Sequence, residues 1–408
     1  MLYDHVRRRS SRARLRAALT AALAITVLWS TGCGSESEAT VRASADLSKL
    51  DTGSYATKPQ DLVANNPERM ARNMEALRLA DVVPLPQDVD PALTHNSGGA
   101  HPFVDAQSFN NSPFESFDAP EFFAAIPGFV AGFAGAARSD EDRDISYDLR
   151  HAVMIFGSDA SATAAATALT GIKLDTRQGI PAESAKYPSA RITWIPDFQE
   201  LAFWYPTGKF LIGGVVGNHE NMSLSASDLD GLLTLSDKAI TVISERLKGF
   251  EPTAQDKLAA LPVDPEGMLR LTLLRPSGDQ TAFGFDGALD RRGALHTVDD
   301  PDKGRALFEK TGVEFIGHGA GELVRTRDAA AAETYLNTVS ANRFQHLIES
   351  PPGLPVAKCV KYQGPDSHQF PYHCYVTYGR YAAEVWSQQQ QDVYQRISAQ
   401  YAILANDK

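Results

Sequence analysis

The chain has 408 residues, of which 43% are hydrophobic and 22% are charged, with a formal net charge of −11. These fractions are near the averages for soluble globular proteins, so the composition favours neither a disordered chain nor a protein with many membrane spans. The acidic balance disfavours nucleic acid and anionic lipid headgroups as partners of the body as a whole, and the length predicts two domains.

The N-terminal segment predicts an exported lipoprotein. Six arginines between positions 7 and 16 precede an apolar run of 13 residues, Ala17 to Trp29. That run is shorter than the about 20 residues of a membrane span but fits a secretion signal. Small residues then lead to Cys33, as in the bacterial lipobox. We therefore predict a signal peptide at residues 1–32, a lipid on Cys33 and a flexible tether at 33–45.

This prediction places the body on the outer face of the cytoplasmic membrane, held by its lipid anchor. Removal of residues 1–32 takes away six Arg and one Asp, which changes the formal charge from −11 to −16. Ser30 departs from the lipobox, which has an aliphatic residue at that position. The alternative is therefore an ordinary signal peptide with an incidental cysteine at position 33.

The first half of the body shows a recognisable order of elements. A helix begins at Pro67, and residues 82–117, rich in Pro, Asn, Ser and Gly, are expected to be irregular. Ser158 and Asp159 favour a helix start because their side chains accept from free amides. Strands are predicted at 151–156, 190–196, 200–205 and 211–216, and helices at 160–169 and 227–247.

The second half offers the same order. Met268 to Leu274 predicts a strand, and residues 275–304 are loop-like. Further strands are predicted at 321–326, 356–362, 372–378 and 382–386, and helices from Asp328 to Val339 and from Gln388 to Asn406. Asp159 and Asp328 differ by 169 positions, and Gly208 and Gly379 by 171.

These offsets suggest an internal duplication, although chance similarity of strand and helix order is common. The predicted fold class is α+β, with two similar units in which helices pack on one face of a small, mostly antiparallel sheet. The predicted domains are an N-terminal one at 46–250 and a C-terminal one at 251–408.

The most apolar stretch of the body is Glu121 to Ala137, which contains Pro127 and three glycines. Those residues argue against a membrane-spanning helix. The stretch is either a closely packed core element or a segment that lines a ligand, with Phe129 and Phe133 as the ligand-lining candidates.

Apart from Cys33, the cysteines are Cys359 and Cys374. In an oxidising exterior, two cysteines at this spacing predict a disulfide. His368 and His373 leave a Cys/His metal site as an alternative, but the spacing fits no zinc pattern, so we expect no metal.

Catalytic motifs are sparse. Gly217-Asn218-His219-Glu220 copies a signature of metallophosphoesterases, but the other ligand motifs of such sites are absent and the segment is expected to be a turn after a strand. The common local signatures of zinc proteases, serine hydrolases and phosphate loops are also absent. His219 and His318 are the first residues to test if the chain is an enzyme.

Four segments carry a resemblance to a known family. They are DLSKLDTGSYATKP at 46–59, GFVAGFAGAAR at 128–138, CYVTYGRYAAEV at 374–385 and SAQYAIL at 398–404. The chain resembles an uncharacterised family of actinobacterial lipoproteins found in mycobacteria and nocardia-like relatives. The resemblance implies export, lipidation and a lipid-rich envelope, and supplies neither an activity nor catalytic residues.

These observations favour a non-enzymatic envelope lipoprotein without a cofactor, which binds a lipid, a glycolipid or another envelope protein. The alternatives are an extracytoplasmic hydrolase with an unrecognised site and a structural subunit of a membrane complex. A deep apolar cavity would favour lipid binding, convergent polar groups in a cleft would favour hydrolysis, and a flat apolar patch would favour assembly.

Overall fold

Two antiparallel sheets form the framework of the chain, which a computed structural model describes at residues 45–61, 67–96, 99–114, 116–276, 285–365 and 370–407. The predicted signal peptide, the lipidation site at Cys33 and most of the tether lie outside these residues. Ala43–Lys408 form one compact unit. Two regions of this unit each contain one sheet, and the α+β prediction is confirmed.

The first sheet has eight strands, in the order β1-β3-β4-β8-β7-β6-β5, with β2 also paired to β3. Its strands are β1 (His95–Asn96), β2 (His101–Phe103), β3 (Phe129–Arg138), β4 (Tyr147–Phe156), β5 (Ile180–Ala182), β6 (Arg191–Ile195), β7 (Glu200–Thr207) and β8 (Phe210–Asn218). The long strands β3 and β4 are buried along most of their length, so both faces of this sheet need cover.

The second sheet has seven strands, in the order β12-β13-β14-β15-β11-β10-β9. Its strands are β9 (Gly287–Asp290), β10 (Phe315–His318), β11 (Gly321–Arg325), β12 (Gln345–Ile348), β13 (Lys358–Tyr362), β14 (Tyr372–Tyr378) and β15 (Tyr381–Ser387). Cys359 lies directly opposite Cys374 on β13 and β14.

Eleven α-helices accompany the sheets in the described residues. They are α1 (Pro67–Ala80), α2 (Pro86–Val89), α3 (Ala106–Phe109), α4 (Ala119–Ala125), α5 (Asp159–Leu169), α6 (His219–Ser223), α7 (Leu229–Arg246), α8 (Gln255–Leu258), α9 (Pro301–Thr311), α10 (Ala329–Val339) and α11 (Gln390–Ala405). None of the helices in this described part is long and apolar enough to cross a membrane.

The two sheets repeat one topology. The sequence β4-α5-β5-β6-β7-β8-α7 recurs as β11-α10-β12-β13-β14-β15-α11, and the strand order within each sheet matches. The hairpins β7–β8 and β14–β15 both turn at a glycine with positive φ, Gly208 at +55° and Gly379 at +54°. The last residue of β4, Phe156, donates to Lys209 O, as Thr326 after β11 donates to Arg380 O. The two similar units are therefore confirmed.

Helices cover both faces of each sheet, whereas the sequence predicted one face. In the first unit, Trp204 and Leu211 pack in the cluster that contains α5, while Phe203 and Ile212 pack with α7. Neighbouring residues of a strand point to opposite faces, so α5 and α7 lie on opposite sides of the sheet. In the second unit, α10 and α11 likewise belong to separate clusters.

The predicted strand at Met268 to Leu274 is wrong. Leu269–Leu271 form a 3₁₀ turn, although all the apolar side chains of the segment except Leu274 are buried, as in a core strand. The side chain of Gln400 on α11 bonds this segment, accepting from Leu273 N at 2.7 Å and donating to Leu271 O at 2.8 Å. The side-chain amide of Gln400 thus makes two of the backbone hydrogen bonds that a neighbouring strand would otherwise make.

Residues 275–304, predicted to be a loop, also contain regular structure. Strand β9 and the start of α9 lie there, while residues 277–284 are outside the described part. Within 82–117, expected to be irregular, the chain forms the short elements α2, β1, β2 and α3. These elements are too short to produce a hydrophobic period that distinguishes them from a loop.

Candidate ligand-binding cleft

One end of the first sheet opens into a polar cleft with a cavity volume of about 770 Å³. Its charged or titratable lining residues are Arg138, Arg143, Asp148, Arg150, Asp175 and His219. Amide and hydroxyl groups of Asn96, Asn110, Asn111, Ser112 and Ser116 complete most of the lining. We call this site the arginine cleft.

Strand pairing brings these residues together. Asp148 lies opposite Arg138 of β3 on one side and opposite Gly217 of β8 on the other. Asp148 and Arg150 are two residues apart on β4 and therefore point to the same face of the sheet. Farther along that face, Met154 and Phe156 belong to the aromatic-rich cluster under α5. The arginine cleft is the polar end of a face that is otherwise apolar.

Arg150 is the centre of a buried ion-pair network. Its Nη2 lies 2.9 Å from Glu200 Oε1, its Nε lies 3.1 Å from Asp148 Oδ2, and its Nη1 donates to Ser116 Oγ at 2.9 Å. Arg177 Nη2 contacts the other oxygen of Glu200 at 3.1 Å. The side chains of Arg150 and Glu200 are only 12% and 6% exposed, so solvent screens their attraction weakly.

The network keeps Asp148 and Arg150 charged. Burial alone would raise the pKa of Asp148, but Arg150 and His219 outweigh burial and hold that pKa below its ordinary value. Burial alone would lower the pKa of Arg150, and the carboxylates of Asp148 and Glu200 raise it instead. Asp148 and Arg150 therefore form a fixed pair of opposite charges in the wall of the cleft.

His219 enters the cleft from the end of β8. Its Nε2 lies 3.2 Å from Asp148 Oδ1, and its side chain is 6% exposed. The backbone N–H of His219 donates to Ser146 O at 2.9 Å, and the preceding Asn218 accepts from Asn221 N and so caps α6. A Cβ at Gly217 would lie 2.5 Å from Asp148 Oδ1, so glycine is needed for this close approach.

The Gly217-Asn218-His219-Glu220 segment therefore spans a strand end and a helix start. Asn218 serves as a helix cap and Glu220 is exposed. No cluster of three or more possible metal ligands occurs within the described ranges. The segment instead places His219 beside Asp148. The similarity to the metallophosphoesterase signature did not predict this contact.

Two arginines of the cleft stand outside the ion-pair network of Arg150. Within the described residues, Arg138 at the end of β3 and Arg143 in the following 3₁₀ turn form no ion pair with a carboxylate. Arg138 Nε is buried and has no hydrogen-bond partner there. Asp175, which also lines the cleft, pairs with Arg177 at 2.6 Å. The cleft thus offers guanidinium donors that a bound anion can satisfy.

Phe129 and Phe133, the residues expected to line a ligand, take different environments on β3. Phe133 is fully buried, and its ring meets that of His296 edge-on at 5.1 Å. Phe129 is partly exposed, stacks on Phe103 at 5.5 Å and borders a shallow groove of about 430 Å³ beside α1 and α8. Neither residue lines the arginine cleft.

His318 lies at the end of β10, away from the residues that line the cleft. Its side chain is fully buried, with Nδ1 3.5 Å from Glu322 Oε1 and the ring 5.1 Å from that of Phe285. Burial, and secondarily Arg275, lower the pKa of His318 to about 3. His219 and His318 therefore do not belong to one site.

Cys359 and Cys374 form the predicted disulfide. His373 Nδ1 lies 2.9 Å from Glu384 Oε1, and its Nε2 lies 3.0 Å from Phe370 O, so both ring nitrogens have partners within the protein. His368, the other residue of the metal alternative, lies outside the described residues. Cys33 also lies outside the described residues.

The arginine cleft itself was not predicted from the sequence. A signal was nevertheless present, because Asp148 and Arg150 stand at alternate positions in the strand YDLRHAVMIF, which is otherwise largely apolar. Two opposite charges on one face of such a strand indicate a buried ion pair. The contribution of Glu200 and His219 depends on strand pairing and cannot be derived from spacing.

Comparisons with known proteins identify a family without an activity. Residues 62–263 match the profile described as "Domain of unknown function (DUF7373) N-terminal", and residues 268–407 match its C-terminal counterpart. No curated protein matches the chain. The crystal structure of the extracellular domain of PknH from Mycobacterium tuberculosis is similar over 42% of this chain and 96% of that one, with 9% identity and a TM-score of 0.29. At this level of similarity no property of PknH is transferred.

Proposed function

Because this chain belongs to the DUF7373 family, for which no activity is described, we propose a function from its own chemistry. The protein is an envelope lipoprotein, anchored through Cys33 on the extracytoplasmic face, whose body binds the polar headgroup of a lipid or glycolipid in the arginine cleft. The convergence of Arg138, Arg143 and Arg150 in that cleft carries this proposal.

The size and lining of the cleft support a headgroup as the ligand. Its volume of about 770 Å³ falls within the roughly 300–1,000 Å³ of small-molecule sites. The lining consists mainly of charged, amide and hydroxyl groups, which suit oxygen-rich ligands and not acyl chains. Of the two apolar candidates, Phe133 is packed in the core and Phe129 lies outside the cleft. Specificity therefore resides in polar contacts.

The acidic body gives the cleft a further role in selection. The mature chain carries a formal charge of −16, which repels most anions at long range. A positive cleft in such a surface attracts an anionic group only at short range, where the guanidinium donors are reached. Ligand selection thus combines repulsion by the surface with capture by the cleft.

A second candidate is an extracytoplasmic hydrolase, favoured by the contact of His219 with Asp148. A carboxylate that orients a histidine is typical of general-base catalysis. Ser112 and Ser116 supply hydroxyls in the same cleft. However, Ser116 Oγ accepts from Arg150, and no described hydroxyl is hydrogen-bonded to His219. The observed arrangement lacks an activated nucleophile, and we rank binding above hydrolysis.

The test is the identification of ligand on the native protein. The chain is purified from membranes in mild detergent, and lipids that accompany it are measured by mass spectrometry. Arg143→Gln should lose the ligand, whereas Arg305→Gln, at an exposed position outside the cleft, should retain it. Equal ligand on both variants would overturn headgroup binding in the cleft. Turnover of ester or phosphate substrates that His219→Ala abolishes would favour the hydrolase.

A further inference from the structure

We propose that the arginine cleft recognises a phosphorylated polyol, with the phosphate held between Arg138 and Arg143 and the hydroxyls held by Asn110 and Asn111. This inference rests on the proposed binding function and names its ligand class. The shared chemistry is a phosphate attached to a hydroxyl-bearing group, in a soluble sugar phosphate or in a lipid headgroup.

The first argument is the balance of charge inside the cleft. Asp148 contacts both Arg150 and His219, and Asp175 contacts Arg177. These contacts use the carboxylates of the lining, so neither Arg138 nor Arg143 has an ion-pair partner in the described residues, and Arg143 attracts Asp148 only at longer range. A phosphate monoester carries a charge between about −1.5 and −2 near neutral pH, which matches two guanidinium groups. The phosphodiester of a lipid headgroup carries a single charge, but its two non-bridging oxygens can each accept from one guanidinium group.

The second argument is an unsatisfied donor. Arg138 Nε is buried without a hydrogen-bond partner in the described residues, and a buried donor without an acceptor costs free energy. A phosphate offers several acceptor oxygens in different directions, so one group can reach guanidinium groups that come from different elements. Arg138 ends β3, and Arg143 belongs to the turn that precedes β4.

The third argument is the neutral part of the lining. A free phosphate would leave most of a cavity of about 770 Å³ empty. Asn110 and Asn111 are exposed at the cleft, and each amide can donate and accept, as is required to bind a hydroxyl group. Large apolar side chains are absent from the described lining, which disfavours a phosphate attached to an aromatic group.

Acidic residues next to Arg143 act against anion binding. Glu141, Asp142 and Asp144 are exposed in the same connection and Asp140 is partly buried, although none of them lines the cleft. Asp140 and Asp142 each accept a backbone N–H two residues later. Glu141 is therefore the best choice for a control of opposite sign, since no hydrogen bond of its side chain is seen in this described region. Its removal should raise the affinity.

The experiment measures binding to the detergent-solubilised lipidated chain by isothermal titration calorimetry. The soluble probes are glucose 6-phosphate, inorganic phosphate and glucose. We expect glucose 6-phosphate to bind at least about tenfold more tightly than inorganic phosphate, because only the sugar phosphate also has hydroxyls for Asn110 and Asn111. Glucose should not bind, because charged hydrogen bonds contribute most of the affinity. Equal affinity for glucose and glucose 6-phosphate would overturn the proposal.

The variants locate the phosphate. Arg143→Gln and Arg138→Gln should each weaken binding of glucose 6-phosphate about tenfold or more, while Arg305→Gln should leave it unchanged and Glu141→Gln should strengthen it. Arg138→Lys, which keeps the charge but loses the planar fork, should show an intermediate loss and guards against misfolding of Arg138→Gln. Unchanged affinity in Arg143→Gln would contradict the assignment.

A vesicle experiment separates the two sources of the phosphate. The Cys33→Ala protein, which lacks the proposed anchor, is mixed with phosphatidylcholine vesicles that contain or lack phosphatidylglycerol, and excess glucose 6-phosphate is added as competitor. A lipid headgroup is supported if the protein binds the phosphatidylglycerol vesicles, if Arg143→Gln abolishes that binding, and if glucose 6-phosphate releases the protein. A soluble ligand is supported if the protein binds glucose 6-phosphate but not the vesicles. If native protein carries a phosphate-free ligand that Arg143→Gln loses, headgroup binding stands and the phosphate assignment fails. If no ligand depends on the cleft, both fail.

Discussion

Ser158 and Asp328 occupy equivalent positions in the two units, 170 residues apart. Each caps a helix of 11 residues, Ser158 by accepting from Ser161 N at 3.1 Å and Asp328 by accepting from Ala331 N at 2.8 Å. The side chains differ, but both supply the oxygen that a helix start requires. Aligning Asp159 with Asp328 in the sequence is therefore wrong by one residue, because the equivalent of Asp328 is Ser158.

Loss of either cap should destabilise the protein to a similar extent. We expect Ser158→Ala and Asp328→Ala each to lower the free energy of unfolding by about 1 kcal/mol, since a free amide at the helix start loses its acceptor. Urea unfolding followed by circular dichroism measures the effect. Ser158→Asp should retain the cap and serves as the matched control. A loss confined to one of the two alanine variants would contradict their equivalence.

The disulfide should stabilise the second sheet. Cys359 and Cys374 close a loop with a sequence separation of 15, for which the chain-entropy model gives about 3 kcal/mol at most. Replacement of both cysteines by alanine should lower the unfolding free energy by up to about that amount. Mass spectrometry of the non-reduced, acid-quenched protein tests the bond itself. Two free thiols in that sample would disprove it.

Acidification should destabilise the protein through its buried histidines. His151 is fully buried, and its Nε2–H donates to Pro84 O at 3.0 Å. Burial, and secondarily His296, lower the pKa of His151 to about 3. Because the unfolded value is about 6.5, only the unfolded chain takes up this proton as the pH falls below 6.5, and stability is lost towards pH 3.

His151→Gln keeps a donor for Pro84 O but does not titrate. Between about pH 7 and about pH 5, the variant should lose about 2 kcal/mol less stability than the wild type. Asp81 and Glu322, whose pKa values are raised to about 8, oppose the histidines but cancel in this comparison. His346→Gln, at an exposed position, is the control. Parallel pH curves for wild type and His151→Gln would rule out this contribution.

The ion-pair network should be costly to break at its centre. Arg150→Met leaves Asp148 and Glu200 buried without that cation, and we expect a loss of about 3–5 kcal/mol of unfolding free energy. Arg305→Met, at an exposed position, should change it by less than about 0.5 kcal/mol. Thermal and urea unfolding measure both. A cost below about 1 kcal/mol would show that water enters the network freely.

The lipid anchor can be tested separately from the cleft. Cys33→Ala should move the protein from the membrane fraction to the soluble fraction, because a peptide without the acylated cysteine lacks the proposed anchor. Cys359→Ala should not change the distribution. Tight membrane association of Cys33→Ala would instead indicate an uncleaved apolar segment at the N terminus.

Long periodic elements could be predicted from the sequence. Short elements, and segments whose backbone bonds to a distant side chain, could not. The patterns located α11 and β14 to within two residues of their observed ends, because amphipathic periodicity is a local property. Met268 to Leu274 has equally apolar residues, but Leu269–Leu271 form a 3₁₀ turn, and the side chain of Gln400 bonds the backbone of Leu271 and Leu273. A hydrogen-bond partner 127 residues away cannot be detected in the local hydrophobic pattern.

The same limit applies to the candidate site. His219 was selected from a four-residue motif, and the structure places it in the cleft for another reason, its approach to Asp148. Arg138 and Arg143 were overlooked, because an arginine near a strand end is usually a solvated residue. Only the pairing of β3 with β4 and of β4 with β8 shows that these residues face one cavity.

The strands that build the arginine cleft differ in length between the two units. Strands β4 and β8 have 10 and 9 residues, whereas their equivalents β11 and β15 have 5 and 7. The additional residues of the first unit include Asp148 and Gly217. Two units with the same topology can therefore carry different surfaces, because a strand can be longer at one end in one unit while the strand order of the sheet stays the same. Substitutions at residues 138–150 and 217–219 should accordingly alter the arginine cleft without changing the strand order that the two units share.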